Sequence, residues 1–346
     1  MPRQETHITP IPTQWIGPLT ISGNAVNDTV RVPLATYESP LWPSTARGAR
    51  VAEHCGGVRC TLIDDRMARS ILLEAPDAAT AYAALQDILA ARDELAAVVA
   101  ETGRFARLLG LHHQIVGNLL YLRLECATGD AAGHNMVTKA ADAVLSHILA
   151  AHPALAYGSI SANYCTDKKV SAVNGILGRG KNIIAEITIP RRLCARMLRT
   201  TPEKICALNL RKNHIGGALA GSIRSANAHF ANILLAFYLA TGQDAANIIE
   251  GSQGIVHTET RGDDLYFSCT LPNLIIGSVG NGKSGDAVEA HLHALGCRAD
   301  RPAGENARRL AAICAATVLC GELSLLAAQT NPGELMRAHL ALERRA

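Results

Sequence analysis

The chain of 346 residues is long enough for about two domains of ordinary size. Hydrophobic residues make up 48% of it, charged residues 18% and aromatic residues 4%, which predicts a globular protein with an aliphatic core and excludes a disordered, collagen-like or coiled-coil chain. The formal net charge of +3 is too small for the basic surface that nucleic-acid binding requires, so we expect no nucleic-acid partner.

The ten cysteines are scattered along the chain, without a CxxC pair or a regular spacing. This usage is typical of free thiols in a reducing compartment rather than of a disulfide framework. His54, Cys55 and Cys60 lie close together in sequence, but a zinc site of this kind needs a second pair of ligands. We therefore expect a cytoplasmic protein with buried thiols and no metal site.

Two apolar segments, residues 226–243 and 310–329, raise the question of membrane insertion. Both contain polar side chains, among them His229 and Glu322, which are costly in a membrane. Residues 1–15 lack the apolar stretch of a signal peptide. We interpret the two segments as core helices and expect no membrane association.

The first half of the chain predicts alternating strands and helices. Short strands with Gly and Pro punctuation precede Arg69, and periodic patterns follow it. The patterns predict a strand at 70–74, a helix at 78–101, strands at 113–116 and 119–127, a helix at 133–151 and a strand at 155–161. This β-α-β-β-α-β order is the split βαβ arrangement of ferredoxin-like domains.

The sequence on either side of residues 71–159 has a different pattern of strands and helices. Residues 182–189 and 264–269 alternate like strands of an antiparallel sheet, and long apolar helices accompany them. We therefore predict an α+β fold, with a ferredoxin-like small domain at residues 71–159 inserted into a large α/β domain formed by residues 1–70 and 160–328.

The C-terminal segment predicts a separate small element. The helix-breaking sequence Asn-Pro-Gly at 331–333 is followed by a short amphipathic helix at 334–339. Residues 329–346 are therefore predicted to form a mobile flap.

Residues Gly277 to Ser284 match the phosphate-binding pattern GxxxxGK[ST] letter for letter. An apolar run at 274–276 and a predicted helix at 286–295 flank them, as in a nucleoside triphosphatase. The alternative is a glycine-rich tight turn before a helix, because the rest of the chain lacks the alternating βα pattern of such enzymes. From these residues alone the two interpretations carry equal weight.

A cluster of polar residues spans 161–169 and continues through Asn174 to Gly178-Arg-Gly-Lys at 178–181. It follows a predicted strand at the domain junction, where ligand clefts are common. In a cleft its lysines could stabilise an oxyanion and its aspartate could shift a neighbour's pKa. The competing interpretation is a solvated turn, and the sequence favours neither.

Four further residues are candidates on weaker grounds. His229 and Asn232 are three apart and are predicted to share one helix face. Asp244 follows Thr-Gly at a predicted helix start, where capping also explains it. Glu38 fits neither helical nor strand periodicity.

Together these segments resemble the catalytic portion of the 3-hydroxy-3-methylglutaryl-CoA (HMG-CoA) reductase family, from about residue 10 to the end of the chain. The sequence NYCTDKK at 163–169, with GRGK at 178–181, is similar to the cis-loop of the family. GQDAAN at 242–247 resembles GQDAAQN, and GDAAGHNM at 129–136 resembles GDAMGMNM. GSVGNGK at 277–283 resembles GTVGGGT, so the P-loop match is interpreted as the accident of a Lys in place of a Thr.

The resemblance implies reduction of HMG-CoA to mevalonate and CoA with two NADPH, by an NADPH-type, class I-like enzyme of isoprenoid biosynthesis. It implies that Lys168 stabilises the oxyanion and that Glu38 is the general acid. Asp244 would hold Glu38 and Lys168 in one hydrogen-bonded network, and His339 on the flap would protonate the departing CoA thiolate.

The resemblance also implies binding residues and a homodimer or larger assembly whose active sites are shared between subunits. The large domain would bind substrate and the small domain NADPH. The implied substrate residues are Arg69, Ser161, Asp167, Lys169, Ser44 and Arg47, with Lys212, His229 and Asn232 supplied by the partner subunit. The implied cofactor residues are Arg104, Asp130, Ala132, Asn135, Gly280 and Arg344.

The loop at residues 35–48 departs from the family pattern TTEGALVASTNRG. Glu38, Ser44 and Arg47 are retained, but two prolines and Trp42 are added. The altered loop keeps open a relative that reduces a different acyl-CoA or a carrier-bound thioester. A non-catalytic cofactor-binding relative and the P-loop nucleoside triphosphatase are more distant alternatives.

Overall fold

A computed structural model describes residues 9–280, 282–283 and 285–343 of the chain. Its nine strands are β1 (Thr13–Gly23), β2 (Asp28–Ala35), β3 (Val58–Glu74), β4 (Arg107–Val116), β5 (Leu119–Ala127), β6 (Ala156–Ser159), β7 (Gly180–Ile189), β8 (Ile255–Arg261) and β9 (Asp264–Leu274). The predicted α+β class is confirmed.

The helices of the first half are α1 (Leu41–His54), α2 (Ala78–Ala90), α3 (Arg92–Glu101), α4 (His134–Ala151) and α5 (Val173–Leu177). Those of the second half are α6 (Arg191–Leu193), α7 (Pro202–Leu208), α8 (Gly217–Leu219), α9 (Phe230–Ala240), α10 (Ile248–Gly251), α11 (Asp286–Ala294), α12 (Glu305–Gln329) and α13 (Glu334–Glu343). Cys194–Leu198 and Asn209–Gly216 are π-helical, and Ala245–Asn247 is a 3₁₀ turn.

The large domain is built on a mixed sheet of order β2-β1-β3-β7-β9-β8. Only the β1 and β3 pair in it is parallel; β3 with β7, β7 with β9 and β9 with β8 are antiparallel. Helices α1, α9 and α12 pack in the core with this sheet. The predicted antiparallel pairing of residues 182–189 with 264–269 is therefore present as β7 and β9.

Helix α12 is the central helix of the large domain. Its length and the mean hydropathy of 2.0 in its most apolar 18-residue stretch would suffice for a membrane span, but 94% of that stretch is buried inside the protein. It contacts α1, α9, β3, β7 and β9. This helix is therefore part of the core, as predicted for residues 310–329, and its burial fits a soluble protein.

Strand β3 takes part in two sheets. Its first half, Arg59 to Arg66, pairs with β7 of the large sheet, and its second half, Met67 to Glu74, pairs with β5. Strands β4, β5 and β6 complete the small sheet with this second half, in the order β4-β5-β3-β6. Helices α2, α3 and α4 pack on it around a second hydrophobic cluster.

Several predicted elements need correction. The strand expected at 113–116 begins at Arg107, and the segment expected as a loop at 35–48 is helical from Leu41 onward. The single helix expected at 78–101 is two helices separated at Ala91, because Asp93 and Glu94 favour a new N-terminus there. The strand expected at 70–74 is the end of the 17-residue β3. The helix expected from residue 226 begins at Phe230, because Ala226 forms a bridge to Ile255 and residues 228 and 229 are a bend.

The P-loop hypothesis is wrong. The strand before Gly277 is β9, which ends at Leu274 and is antiparallel to both of its neighbours. A P-loop follows a strand of a parallel sheet. The Lys283 ammonium instead donates a hydrogen bond to the Gly242 carbonyl at 2.7 Å.

Candidate active site

The loop at residues 163–169 adopts a strained backbone between β6 and α5. Asn163, Thr166 and Lys168 have φ angles of 57°, 43° and 55°, in the left-handed region that side chains with a Cβ disfavour. Strain of this kind persists only where the surroundings impose it. The contacts of the loop with the rest of the protein therefore fix the backbone position of Lys168.

Arg179 is one anchor of this loop and is completely buried. Its Nη2 donates to Asp167 Oδ1 at 2.7 Å and its Nε donates to Glu250 Oε1 at 2.9 Å. Its Nη1 donates to the Ala68 carbonyl of β3. Burial raises the pKa of Glu250 despite the nearby guanidinium. Burial also opposes ionisation of Asp167, but the cations around it, Arg179 first, hold its pKa below the usual value.

Arg123 is the second anchor and is equally buried. It donates to the carbonyls of Tyr164 at 2.9 Å and Gly178 at 2.5 Å, and to Asn174 Oδ1 at 3.1 Å. Its Nε also contacts Glu125 at 3.2 Å. Two buried guanidinium groups thus hold both ends of the polar cluster predicted from sequence.

Lys168 and Asp244 form an ion pair, with 2.9 Å between Nζ and Oδ2. Asp244 also caps the 3₁₀ turn Ala245–Asn247 by accepting from the Ala246 N–H at 3.1 Å. Burial opposes ionisation of Asp244, yet the bonds from Lys168 and Ala246 lower its pKa overall. Asp244 is therefore an anion at neutral pH, and capping and charge pairing are both its roles.

The Lys168–Asp244 pair lines a cavity of about 350 Å³, which we call the cofactor-side pocket. Its walls are residues 131–136, Lys168, Asp244, Val279, Gly280 and Lys283. Residues 134–136 form the first turn of α4, whose N-cap Gly133 has no side chain to bond the free N–H groups. The pocket therefore combines ammonium groups with the positive end of an 18-residue helix.

His134 connects three segments of this pocket. Its Nε2 lies 3.1 Å from Asn247 Nδ2 and 3.7 Å from Asp167 Oδ1. Burial, followed by the charges of Arg179 and Lys168, lowers its pKa to about 4. The imidazole is therefore neutral at physiological pH.

A second group of predicted residues lies in a different cavity, of about 220 Å³, which we call the acyl-side pocket. Asn232 Nδ2 donates to Glu38 Oε2 at 2.7 Å, and His229 Nδ1 lies 2.8 Å from Glu322 Oε2. Burial lowers the pKa of Lys212, and the Glu322 charge opposes that shift. The pocket is lined by Glu38, Pro40, Leu41, Pro43, Ser44, Arg47, His229, Ser324, Leu325, Ala328, Glu334 and Leu335.

Arg47 ties this pocket to the C-terminal helix. It forms an ion pair with Glu334 at 2.7 Å and donates to the hydroxyl and carbonyl oxygens of Ser324. Ser44 Oγ lies 3.0 Å from Ser324 Oγ. The first turn of α13 therefore lies against α1, while the helix carries His339, whose side chain is outside the described part of the chain.

Asp244 does not join Glu38 and Lys168 within one chain. In the described residues Glu38 bonds Asn232 and Asp244 bonds Lys168; Glu38 lines the acyl-side pocket, whereas Asp244 and Lys168 line the cofactor-side pocket. His229 and Asn232 also do not share a helix face, because His229 is the N-cap of α9 and faces Glu322. The predicted network requires groups from both pockets.

Several predicted binding residues have contacts within the chain. Arg69 donates to Thr138 Oγ1 at 3.0 and 2.6 Å, and its Nη1 lies 3.8 Å from Asp167. Lys169 donates to the Asp167 carbonyl. Ser161 is exposed, and its backbone bonds the Ser159 hydroxyl.

The predicted cofactor residues divide into two groups. Ala132, Asn135 and Gly280 line the cofactor-side pocket. The Asp130 carboxylate instead accepts from the N–H groups of Gly304 at 3.1 Å and Ala307 at 2.9 Å, which caps α12. Arg104 is exposed over the ring of Phe105, and Arg344 lies outside the described residues.

Sequence reasoning assigned no role to Arg179, Arg123, Glu250 and Glu322, although Arg179 stands in the GRGK segment at 178–181. Nothing in a single sequence distinguishes a completely buried arginine from a solvated one. His134 had a visible signal, because it stands where the motif GDAMGMNM has a methionine.

Comparison with known proteins gives a consistent result. The family model described as hydroxymethylglutaryl-coenzyme A reductase matches residues 6–344. The 3-hydroxy-3-methylglutaryl-coenzyme A reductases of Pyrococcus horikoshii and Aeropyrum pernix are 45% and 43% identical to the chain. These alignments cover 96% of this chain, and 81% and 79% of those relatives.

The fold is also that of a solved reductase. The class II enzyme of Streptococcus pneumoniae, in its NADPH-bound open conformations, superimposes with a TM-score of 0.73 at 18% identity. The match covers 95% of this chain and 87% of that one. With the family model spanning nearly the whole sequence, the chain belongs to the hydroxymethylglutaryl-coenzyme A reductase family.

Proposed function

We propose that the chain reduces the thioester of HMG-CoA to mevalonate and CoA with two NADPH. The observation that carries this proposal is the Lys168–Asp244 pair, which lines the same cavity as the uncapped N-terminus of α4. A fixed ammonium beside a dinucleotide site is what hydride transfer to a thioester carbonyl requires, because negative charge develops on the carbonyl oxygen.

The residues of the cofactor-side pocket fit NADPH. The free N–H groups at the start of α4 suit a diphosphate. Gly280, with φ of 101°, has no atom within 4 Å of where a Cβ would lie, so the backbone there is open to a ligand. Behind this pocket, Asn247 Oδ1 is buried and has no hydrogen-bond partner among the described residues, while Asn247 Nδ2 lies 3.1 Å from His134 Nε2.

NADPH would supply the hydride, and the chain's own residues would handle charge and protons. Lys168, paired with Asp244, would stabilise the oxyanion. Glu38, oriented by Asn232, would deliver a proton to that oxygen. His339 on α13 protonates the thiolate of CoA, and Arg47 and Ser44 hold the CoA portion at the acyl-side pocket.

We propose a homodimer in which the acyl-side pocket of one subunit completes the cofactor-side pocket of the other. This arrangement brings Glu38 to Lys168, which one chain leaves in separate cavities. It assigns Glu38, with Lys212, His229 and Asn232, to the partner of the subunit that supplies Lys168. Large apolar side chains that are exposed in the single chain, and that would suit a buried interface, occur between residues 170 and 223: Val170, Ile176, Leu210, Ile215, Leu219 and Ile223.

One observation favours a different acyl group as the alternative substrate. The added prolines Pro40 and Pro43 line the acyl-side pocket directly, and Trp42 Nε1 donates to the Leu34 carbonyl, which fixes the first turn of α1. A panel of acyl-CoA and carrier-bound thioesters therefore belongs with the main assay.

We also propose a cytoplasmic location, since all ten cysteines are free thiols.

The test is the stoichiometry of turnover. Purified protein with HMG-CoA should oxidise two NADPH for each free CoA thiol released, and light scattering in the same buffer should show a dimer or larger assembly. Oxidation of NADPH with other thioesters but not with HMG-CoA would transfer the proposal to the alternative substrate. NADPH binding without oxidation for any thioester would refute it.

A further inference from the structure

Lys283 is the one feature of the accidental P-loop match that the proposed function does not use. It lies in the loop between β9 and α11, with only 6% of its surface exposed, and it lines the cofactor-side pocket together with Lys168 and Asp244. A buried ammonium is expensive unless it is bonded and faces an anion. A lysine buried in this cavity is therefore expected to have a specific role.

The loop that carries Lys283 interlocks with the turn that carries Asp244. A Cβ on Gly242 would lie 2.1 Å from the Gly282 carbonyl oxygen, so the two backbones are in direct contact. The Lys283 ammonium donates to the Gly242 carbonyl at 2.7 Å, two residues before Asp244. Arg298 supports the loop from behind by donating to the carbonyls of Ser278 and Lys283.

The charges around Lys283 come from four elements. Asp244 favours its protonated form, while Arg298 disfavours it. Lys168 and the neutral His134 line the same cavity. Burial is the largest influence and lowers the pKa of Lys283 to about 8.

We propose that Lys283 is a positioning residue, which fixes the Gly242–Asp244 turn through its bond to the Gly242 carbonyl and faces Asp244 as a second cation beside Lys168. Asp244 is thereby held at one distance from Lys168 and shares its charge between two ammonium groups. Lys168 then remains available to the developing oxyanion instead of being bound fully by Asp244. The motif GTVGGGT has a Thr at this position, so this device belongs to the present chain.

This inference rests on the proposed reductase activity. It predicts that the kcat of the protein depends on pH between about 6.5 and 9.5. Lys283 is a cation below about pH 8 and neutral above it. Loss of its proton weakens the bond to Gly242 and removes the second cation, so the kcat of the wild-type protein should fall as the pH rises through about 8.

The experiment measures kcat, KM for both substrates and the melting temperature from pH 6.5 to 9.5. Lys283→Met should lower kcat about tenfold at pH 7, with smaller changes in KM, and its kcat should no longer fall near pH 8. Lys283→Arg keeps the charge at every pH of the assay, so it should retain more activity than Lys283→Met and should also lack the fall near pH 8.

The melting temperature of Lys283→Met distinguishes a positioning role of Lys283 from a merely structural one. Because the folded state lowers the pKa of Lys283, the ammonium is held at a cost below about pH 8, and Lys283→Met should keep or raise the melting temperature at pH 7. Lys139→Met is the matched control: Lys139 also donates to a carbonyl, that of Thr102 at 2.8 Å, but at an exposed site away from the pocket. Its kcat and pH profile should equal those of the wild type.

Each result has one meaning. Wild-type kcat and an unchanged alkaline fall in Lys283→Met would overturn the inference while leaving the proposed function intact. If Lys283→Met is unstable, Lys283→Arg decides, because a fall near pH 8 that persists in it would also overturn the inference. Absence of turnover by the wild type with every thioester tested would refute the proposed function and this inference with it.

Discussion

Arg179→Met is the substitution that tests how the catalytic loop is held. Arg179 is completely buried and bonds Asp167, Glu250 and the Ala68 carbonyl. Its removal leaves the equally buried Glu250 without its guanidinium partner. Removing one member of a buried ion pair costs about 3–5 kcal/mol, so the free energy of unfolding should fall by that amount.

The same substitution should lower activity beyond the loss of stability. Thr166 and Lys168 hold left-handed φ angles that cost roughly 1–2 kcal/mol each, and Asp167 between them loses its anchor. Relaxation of the loop by only about 1.4 kcal/mol would lower kcat about tenfold. Urea unfolding at one fixed protein concentration gives the first quantity, and NADPH oxidation by the folded variant gives the second.

Two further variants make this test specific. Glu250→Gln added to Arg179→Met should recover part of the lost stability, because it removes the unpaired buried carboxylate. Arg191→Met is the matched control, since its ion pair with Glu203 is largely exposed and should contribute little to stability. A stability of Arg179→Met within about 0.5 kcal/mol of the wild type, or an unchanged kcat, would refute this account of the loop.

The remaining predictions concern the two pockets and the thiols. Gly242→Ala should lower kcat at least about tenfold, because its Cβ would lie 2.1 Å from the Gly282 carbonyl oxygen; a normal kcat would show that the interlocked loops are not needed. Gly280→Ala should mainly raise the KM for NADPH, because its Cβ would enter the cofactor-side pocket, and kinetics at saturating HMG-CoA check this. Glu334→Gln should lower the KM for the acyl-CoA up to about fivefold by freeing Arg47, and a raised KM would contradict the role given to that arginine. Labelling of the native protein with a thiol reagent should reach the half-buried Cys55 and Cys206 first and the other eight cysteines only on unfolding, since burial raises the pKa of Cys55 to about 11 and of most others further.

The secondary structure was predictable where the hydrophobic period is strong. Helix α4 and strands β5 and β7 lie within a residue or two of their predicted bounds. Local rules failed where tertiary pairing decides. The late start of α9 at Phe230 follows from the bridge of Ala226 to Ile255, and β3 is long because two different sheets pair with its two halves.

The candidate site was predictable through motifs but not through its supports. Lys168, Asp244 and Glu38 stand in recognisable segments, whereas Arg179 and Arg123 could be recognised as anchors only from their burial. Asp130 has a structural role that its motif did not predict, because its carboxylate caps α12 in this fold. From the sequence, Lys283 was interpreted as a chance match to the P-loop pattern. Only the hydrogen bond of its ammonium to the Gly242 carbonyl indicates a role.

Complementation between two inactive variants tests the central claim most directly. Glu38→Ala disables the acyl-side pocket and Lys168→Ala the cofactor-side pocket, so each variant alone should fail to oxidise NADPH with HMG-CoA. Co-expressed in equal amounts, the two chains should form heterodimers as half of all dimers, each with one complete site of two. The account predicts about one quarter of wild-type NADPH oxidation for the mixture. A mixture as inactive as its components would contradict a site shared between two copies, and wild-type activity in either single variant would contradict the reductase mechanism itself.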